Sequence, residues 1–154
     1  MEKNIQSELE RILEKNRQTN EKIQSEKTSR ENKELLFLNE FYKVSKEIIR
    51  PAMEEIGKAV STNGIEYRIT EKADLSARDG RHEPAEITVS FFTKDRHPSP
   101  GNLSPKFSVT CIKRNFEVSY YESSWSTGGP LGPGKLENIT VELIQHKILE
   151  VLKK

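Results

Sequence analysis

The chain has 154 residues, of which 33% are hydrophobic and 32% charged, and its 25 basic and 24 acidic side chains leave a net charge of +1. This length suits one domain with an appendage. The even charge balance argues against a chain that binds mainly nucleic acid or a membrane surface, and the single cysteine, Cys111, excludes a disulfide framework. Because no apolar stretch is long enough for a signal peptide or a membrane span, we expect a cytoplasmic protein without a membrane partner.

Residues 1–34 are predicted to form a polar helical extension, because they contain no Pro or Gly and are rich in strong helix formers. When they are numbered as heptads from Ile5, the apolar seam residues are Ile5, Leu9, Ile12 and Ile23. Asn16 falls at an a position, where a buried asparagine sets the register of two parallel helices. The pattern leaves two interpretations open, a solvated tether and a short coiled coil.

Residues 35–154 are predicted to form the folded domain, which begins with an amphipathic helix. Apolar or small side chains recur there every three or four positions, at Leu38, Phe41, Ser45, Ile48, Ala52, Ile56 and Val60, and the stripe is widened by Tyr42, Ile49, Met53 and Ala59. Pro51 lacks a backbone N–H, and its ring clashes with the carbonyl group four residues earlier in a regular helix. We therefore expect a kink or a break near this proline.

Four segments with alternating apolar residues are predicted to be strands, over residues 65–69, 87–91, 107–111 and 116–120. A last helix follows, with its apolar stripe on Val141, Ile144, Ile148 and Val151 and with Asn138 or Thr140 as its N-cap. The predicted fold is α+β, a four-stranded antiparallel meander flanked by helices in the order α-β-β-β-β-α.

Residues 124–137 are rich in Ser, Gly and Pro, and we interpret them as a linker. Residues 129–135 match the first part of a phosphate-binding loop, G-x-x-x-x-G-K. The next residue is Leu136 instead of Ser or Thr, and Pro130 and Pro133 lack the N–H groups that would hold a phosphate. The sequence therefore predicts no nucleotide or other cofactor.

The outward face of the predicted sheet carries mostly small polar side chains, with Phe92, Ile112 and Tyr121 as the apolar exceptions. Apolar side chains that meet on a solvent face are typical of a partner or dimer contact. Trp125 and Arg114 are candidates for a second anchor. The alternative is that these are single exposed apolar groups, which are common on protein surfaces.

The patterns favour a non-enzymatic protein-interaction or assembly module that binds another protein or itself, with the N-terminal helix as a tether or a dimerisation contact. The alternative is a nucleic-acid-binding protein, with Tyr121, Phe92 and Trp125 stacking on bases. Its phosphate contacts would come from the segment with four basic and two acidic residues, at Lys106, Lys113, Arg114 and Lys135.

A third hypothesis is a small hydrolase that uses loop acids and histidines. The candidate groups are Asp79, His82 and Glu83 in one loop and Asp95 and His97 in the next. No nucleophile or orienting partner accompanies them, so the sequence assigns no catalytic and no metal-binding residue. Cys111 lies on the expected core face of its strand and is predicted to be a buried apolar residue.

Overall fold

The structure is a computed structural model that describes residues 2–93, 104–125 and 127–154. The chain divides into two units, residues 1–36 and residues 37–154. The first helix, α1, spans Lys3–Val44 and accounts for the regular structure of the first unit. No helix in the described part of the chain is both long and apolar enough to cross a membrane.

In the second unit, a π-helical turn over Ser45–Ile49 joins the end of α1 to α2, which spans Arg50–Ser61. The backbone N–H of Arg50 donates to the carbonyl oxygen of Ser45, five residues earlier. Pro51 follows this turn directly, as the second residue of α2, and the wider turn ahead of it accommodates a ring that would clash with the carbonyl of Glu47 in a regular helix. The disturbance expected near Pro51 thus takes the form of one extra residue in the helix.

The π-helical turn changes which isoleucine faces the core. Ile49 is fully buried, whereas Ile48 is half-buried at the edge of the core. The sequence-based prediction placed both isoleucines on the apolar stripe, with Ile48 in its main spacing and Ile49 beside it. The structure gives the fully buried position to Ile49, because the turn inserts one residue into the regular helical period. After the turn, the buried face continues through Ala52, Met53 and Ile56.

The main sheet contains five antiparallel strands in the order β1-β4-β5-β6-β7. Their bounds are Glu66–Lys72 for β1, Glu86–Phe92 for β4, Lys106–Ile112 for β5, Glu117–Ser123 for β6 and Gly128–Gly134 for β7. Two short strands, β2 over Leu75–Ser76 and β3 over His82–Glu83, form a separate hairpin. A 3-10 turn over Lys113–Asn115 connects β5 to β6.

The α+β class and the antiparallel sheet are confirmed, but the count of four strands is wrong. The segment interpreted as a linker contains β7, which pairs with β6 at the edge of the sheet. An edge strand tolerates Pro130 and Pro133, because only one side of its backbone has hydrogen-bond partners. A run of Gly and Pro has no alternating apolar pattern, and therefore the sequence did not predict that this segment pairs with β6.

Phe116 also departs from the sequence-based prediction, which placed it in a strand facing the core. It has a φ of 55°, in the left-handed region, and it ends the 3-10 turn ahead of β6. Its ring is 42% exposed and lies edge-on to the ring of Phe37, with 5.9 Å between the centroids. The turn therefore takes Phe116 out of the alternation of β6.

The core lies between one face of the main sheet, the inner face, and the helices of the second unit. The last helix, α3, spans Val141–Lys153, and the hydroxyl of Thr140 caps it by accepting from the N–H of Leu143 at 3.1 Å. Completely or almost completely buried side chains from helices and strands meet here, among them Phe41, Met53, Ile87, Val89, Phe107, Val109, Ile144 and Ile148. The opposite, outer face of the sheet contributes no residue to this cluster.

Candidate interaction surfaces

The first unit presents its apolar side chains to solvent. The seam residues Ile5, Leu9, Ile12 and Ile23 are between 44% and 58% exposed, and Leu13 beside them is 58% exposed. Ile5, Leu9 and Ile12 are three or four residues apart, and Ile23 lies eleven residues, or about three turns, further along, so all four lie along one side of α1. Several large apolar side chains on one side of an exposed helix are typical of a surface that another helix covers.

The opposite side of the same helix is occupied by charged pairs. Arg17 donates to both carboxylate oxygens of Glu14, at 3.1 and 2.5 Å, and Arg17 lies 3.9 Å from Glu21. Such exposed pairs stabilise a helix by only a few tenths of a kcal/mol each, about 0.3–0.5. Their position is more informative than their energy, because these exposed pairs identify a charged, solvated side of α1 opposite the seam.

Thr19 is a polar residue in the seam, and its hydroxyl donates to the backbone carbonyl of Lys15 at 3.0 Å. This bond satisfies the hydroxyl inside its own helix. The methyl group of the threonine then remains for contact with a neighbour. Thr19 is therefore compatible with a covered seam, in which the amide of Asn16 would need a hydrogen-bond partner.

On the sheet, the structure separates the residues predicted to form one binding face. Strand register places Tyr121 opposite Ser108, which lies four residues from Ile112 along β5. At about 3.3 Å per residue, this separates Tyr121 from Ile112 by about 13 Å along the strands. Phe92 ends β4, and Ile112 ends the neighbouring antiparallel strand at the other end of the sheet. The three side chains do not form one patch.

Phe92 also differs in burial from the exposed position expected for it. It is only 6% exposed, although it lies outside the main core cluster, and the guanidinium carbon of Arg68 lies 5.6 Å from its ring centroid. Tyr121 is 37% and Trp125 is 38% exposed. A buried ring offers no face for a base, and the proposed stacking set therefore loses Phe92.

Arg114 and Trp125 were predicted to act as further anchors, and both are exposed. Arg114 lies in the turn between β5 and β6, whereas Trp125 lies two residues beyond the other end of β6. The two residues flank opposite ends of one strand, so they do not make a common anchor.

A polar cluster that the sequence did not predict is centred on Asp74, between β1 and β2. Its Oδ2 accepts from Nε2 of His82 at 2.8 Å, and its Oδ1 accepts from Nζ of Lys113 at 3.0 Å. Its backbone N–H donates to the hydroxyl of Tyr42 at 2.9 Å. The cluster therefore joins the end of α1, the β2–β3 hairpin and the turn after β5.

The Asp74 carboxylate is 8% exposed, and its pKa lies below the ordinary value. Burial raises this pKa, but the hydrogen bonds and positive charges of His82 and Lys113 lower it by more. Because both carboxylate oxygens are hydrogen-bonded, Asp74 links the loop after β1 to β3 and to the turn after β5. No sequence motif connects these residues, since His82 lies 8 and Lys113 39 positions from Asp74.

Two loop residues of the hydrolase hypothesis, Asp79 and His82, bond to side chains outside its set of candidate residues. Asp79 accepts from Arg81, with 2.6 Å between Oδ2 and Nε, and His82 bonds to Asp74 instead. Asp95 and His97 lie outside the described residues. The structure thus joins His82 to a carboxylate that the hypothesis did not include.

A cleft of about 560 Å³ opens between the end of α1, the π-helical turn and the end of β1. Its lining includes Tyr42, Ser45, Arg50, Glu71 and Lys72. The guanidinium of Arg50 lies 3.3 Å from the carboxylates of both Glu54 and Glu71. Because two carboxylates balance this arginine, the cleft is not a strong site for an anion.

Cys111 is 1% exposed, in agreement with its predicted burial. Burial raises the pKa of its thiol to about 12, and the charge of Asp74 adds to this effect while that of Lys113 opposes it. A thiol with so high a pKa is almost entirely protonated near neutral pH and is a poor nucleophile.

Comparisons of this chain with protein-family models, curated proteins and solved structures give no match.

Proposed function

We propose that this protein is a non-enzymatic assembly module that self-associates through the first unit. The observation that carries the proposal is the exposure of Ile5, Leu9, Ile12 and Ile23 along one side of α1. When a second helix covers these side chains, each Å² of apolar surface removed from water stabilises the pair by about 25 cal/mol. The charged pairs of Arg17 with Glu14 and Glu21 remain solvated on the other side.

A parallel, in-register pair of two α1 helices gives every seam residue a suitable partner. Each apolar seam residue then faces its own counterpart, and Asn16 faces Asn16 of the second copy, where the two amides can bond to each other. In an antiparallel pair centred on the seam, Asn16 would face Ile12 and bury an amide against an apolar side chain. Leaving a buried amide unsatisfied costs about 1–3 kcal/mol, so the parallel arrangement is preferred.

The seam is also short, since positions 26, 30 and 33 are occupied by Glu26, Arg30 and Lys33. In a parallel pair each of these charges would face an identical charge. The coiled coil is therefore expected to end near Ile23. A seam this short buries little apolar surface, so we expect a weak, concentration-dependent dimer.

Light scattering of the full chain over a range of concentrations tests the proposal. Leu9→Asp places a charge in the seam and is expected to weaken the dimer by at least tenfold, on the order of 1.4 kcal/mol or more. Gln18→Asp adds the same charge outside the seam and serves as the matched control. Asn16→Leu is expected to strengthen the assembly or to change its order.

Lys22→Glu tests the parallel orientation separately. In the parallel pair, Lys22 lies beside Lys27 of the second copy, and reversing one charge converts a repulsion into an attraction. We expect a tighter dimer at low salt and a smaller gain at high salt. A chain that stays monomeric at every concentration, with all of these variants unchanged, would refute self-association through the first unit.

A further inference from the structure

We infer that a second copy of this chain pairs with the free edge of β1, so that two main sheets join in one antiparallel sheet. The inference deepens the proposed self-association and rests on it, because it gives the two copies a second contact. β1 is at one end of the strand order, and it pairs only with β4 in the part of the chain that the structure describes.

The direction of the backbone groups in β1 follows from the neighbouring strands. The N–H of Phe91 donates to Pro105, and the carbonyl of Ala85 accepts from Cys111, so odd-numbered residues of β4 bond toward β5. The even-numbered residues of β4 therefore bond toward β1, where their register partners are also even-numbered. The backbone groups of Tyr67, Ile69 and Glu71 point away from the sheet.

These outward groups have no backbone hydrogen bond to another segment among the described residues. Thr70, Glu71 and Lys72 are exposed, and the rest of the strand, apart from Arg68, is half-buried. Seven residues without Pro and without a register shift form a regular edge. An edge of this kind is a template for another strand.

The other edge of the main sheet, formed by β7, is protected against pairing with a further strand. β7 contains Pro130 and Pro133, and its pairing with β6 shifts in register beside Tyr120. Prolines and bulges on an edge strand hinder pairing with a further strand. Only the edge of β1 lacks both of these features.

Two β1 strands related by a twofold axis match each other in one register, centred on Ile69. Ile69 then faces Ile69 of the second copy, and Tyr67 faces Glu71, so that the outward backbone groups meet as hydrogen-bonded pairs. In the same register Glu66 lies opposite Lys72 of the second copy, and this pair occurs twice by symmetry. Opposite charges directly across two strands are favourable.

Two neighbouring registers also keep the outward backbone groups hydrogen-bonded, but each of them places like charges opposite each other. A shift by two positions in one direction places Arg68 opposite Arg68 of the second copy. A shift in the other direction places Arg68 opposite Lys72. Like charges directly opposite each other destabilise a strand pair, so the charges of β1 select the register centred on Ile69.

Charge reversal in the full chain tests this contact by sedimentation velocity at low salt. We expect Glu66→Lys alone and Lys72→Glu alone each to weaken self-association by about tenfold, because two attractive pairs become repulsive. The double variant, with both charges reversed, is expected to restore it. Lys135→Glu, at an exposed position outside β1, is the control for a change in net charge.

Lys72 lies opposite Glu86 within one copy, so the melting temperature of each variant is measured at a concentration where the chain is monomeric. This measurement separates a loss of folding from a loss of pairing. Failure of the double variant to recover association, in chains that melt like the original, would overturn the inference.

Single cysteines introduced into β1 test the register directly. Ile69→Cys places two thiols at the twofold axis, about 5.5 Å apart between Cα atoms, which a disulfide can bridge. Arg68→Cys and Thr70→Cys would meet their counterparts only in the shifted registers. We expect oxidation to give a covalent dimer of the Ile69→Cys chain at least tenfold faster than of the other two chains. Equal rates for all three would contradict the register.

The contact through α1 of the first unit and the contact through the edge of β1 are separated by repeating the charge reversals in a Leu9→Asp chain. Weakening by Lys72→Glu in both backgrounds supports the β1 contact whatever α1 contributes. Weakening by Leu9→Asp with no effect of either charge reversal leaves the proposed pairing of α1 in place and rejects the β1 contact.

Discussion

Nζ of Lys113 lies 3.0 Å from Oδ1 of Asp74, although 39 positions separate the two residues. This contact holds the loop after β1 against the turn between β5 and β6, and His82 completes it from the β2–β3 hairpin. We expect Asp74→Asn to lower the free energy of unfolding by about 1–3 kcal/mol at neutral pH, because two charge-assisted hydrogen bonds are lost. Urea denaturation measures the change. Asp79→Asn, at an exposed ion pair, is the control and is expected to change little.

The same contact predicts a pH dependence of stability. The folded-state pKa of Asp74 lies below its ordinary value of 3.8, so the charged carboxylate contributes its full stabilisation above that pH. The contribution is lost as pH falls through the folded-state pKa. The stability difference between the original chain and Asp74→Asn is therefore expected to shrink below about pH 4. A difference that stays constant down to pH 2 would contradict the role of the ionised carboxylate.

The π-helical turn predicts unequal effects at two adjacent isoleucines. Ile49→Asp places an unpaired charge at a fully buried position and is expected to unfold the second unit, as is Ile148→Asp in α3. Ile48→Asp lies at the half-buried edge of the core and is expected to leave a folded but less stable chain. Circular dichroism melting distinguishes the variants. Equal losses at Ile48 and Ile49 would indicate a regular helix through this segment.

Gly57 permits α2 to lie close to β1. A Cβ atom at this position would be 2.5 Å from ring atoms of Tyr67, too short for any ordinary contact. In a free helix, Gly→Ala is stabilising by about 1 kcal/mol, but here we expect Gly57→Ala to destabilise by about 1–3 kcal/mol. Gly129→Ala is the control, since no atom lies within 4 Å of a Cβ built there. Chemical denaturation is the measurement, and a stabilised Gly57→Ala chain would show that Tyr67 moves aside freely.

Cys111 is expected to resist alkylation in the folded protein. Its burial and its pKa of about 12 leave little thiolate at pH 8 and little access for a reagent. Mass spectrometry after treatment with iodoacetamide should show slow labelling of the native chain and rapid labelling in denaturant. Rapid labelling under native conditions would show that the strand opens locally.

Residues 35–154 are expected to fold without the preceding segment, as the scarcity of apolar side chains before Leu35 indicates. The core cluster begins at Leu38 and includes no residue of the first unit. Truncation should leave the melting temperature of the domain nearly unchanged at low concentration. A large decrease would show that the first unit stabilises the domain.

Several features followed from the sequence alone. Apolar periodicity identified the helical segments and four of the five strands of the main sheet, because each of these elements buries one face and repeats its apolar residues accordingly. Thr140 was one of two expected caps for α3, and the burial of Cys111 followed from the alternation in β5. These are local patterns, and local patterns depend on neighbours in the chain.

Other features were decided only by the tertiary structure. β7 is a strand because β6 offers it backbone partners, not because Gly and Pro favour one. Of the two isoleucines on the predicted stripe, Ile49 takes the fully buried position because one extra residue enters the helix ahead of Pro51. Asp74 meets His82 and Lys113 through the folding of three loops, and Phe92, Ile112 and Tyr121 are kept apart by strand register. The pairing of β7, the Asp74 cluster and the separation of the three apolar side chains depend on partners from other elements, and for that reason no spacing or composition could predict them. The turn ahead of Pro51 is local, and the sequence indicated its place but not its form.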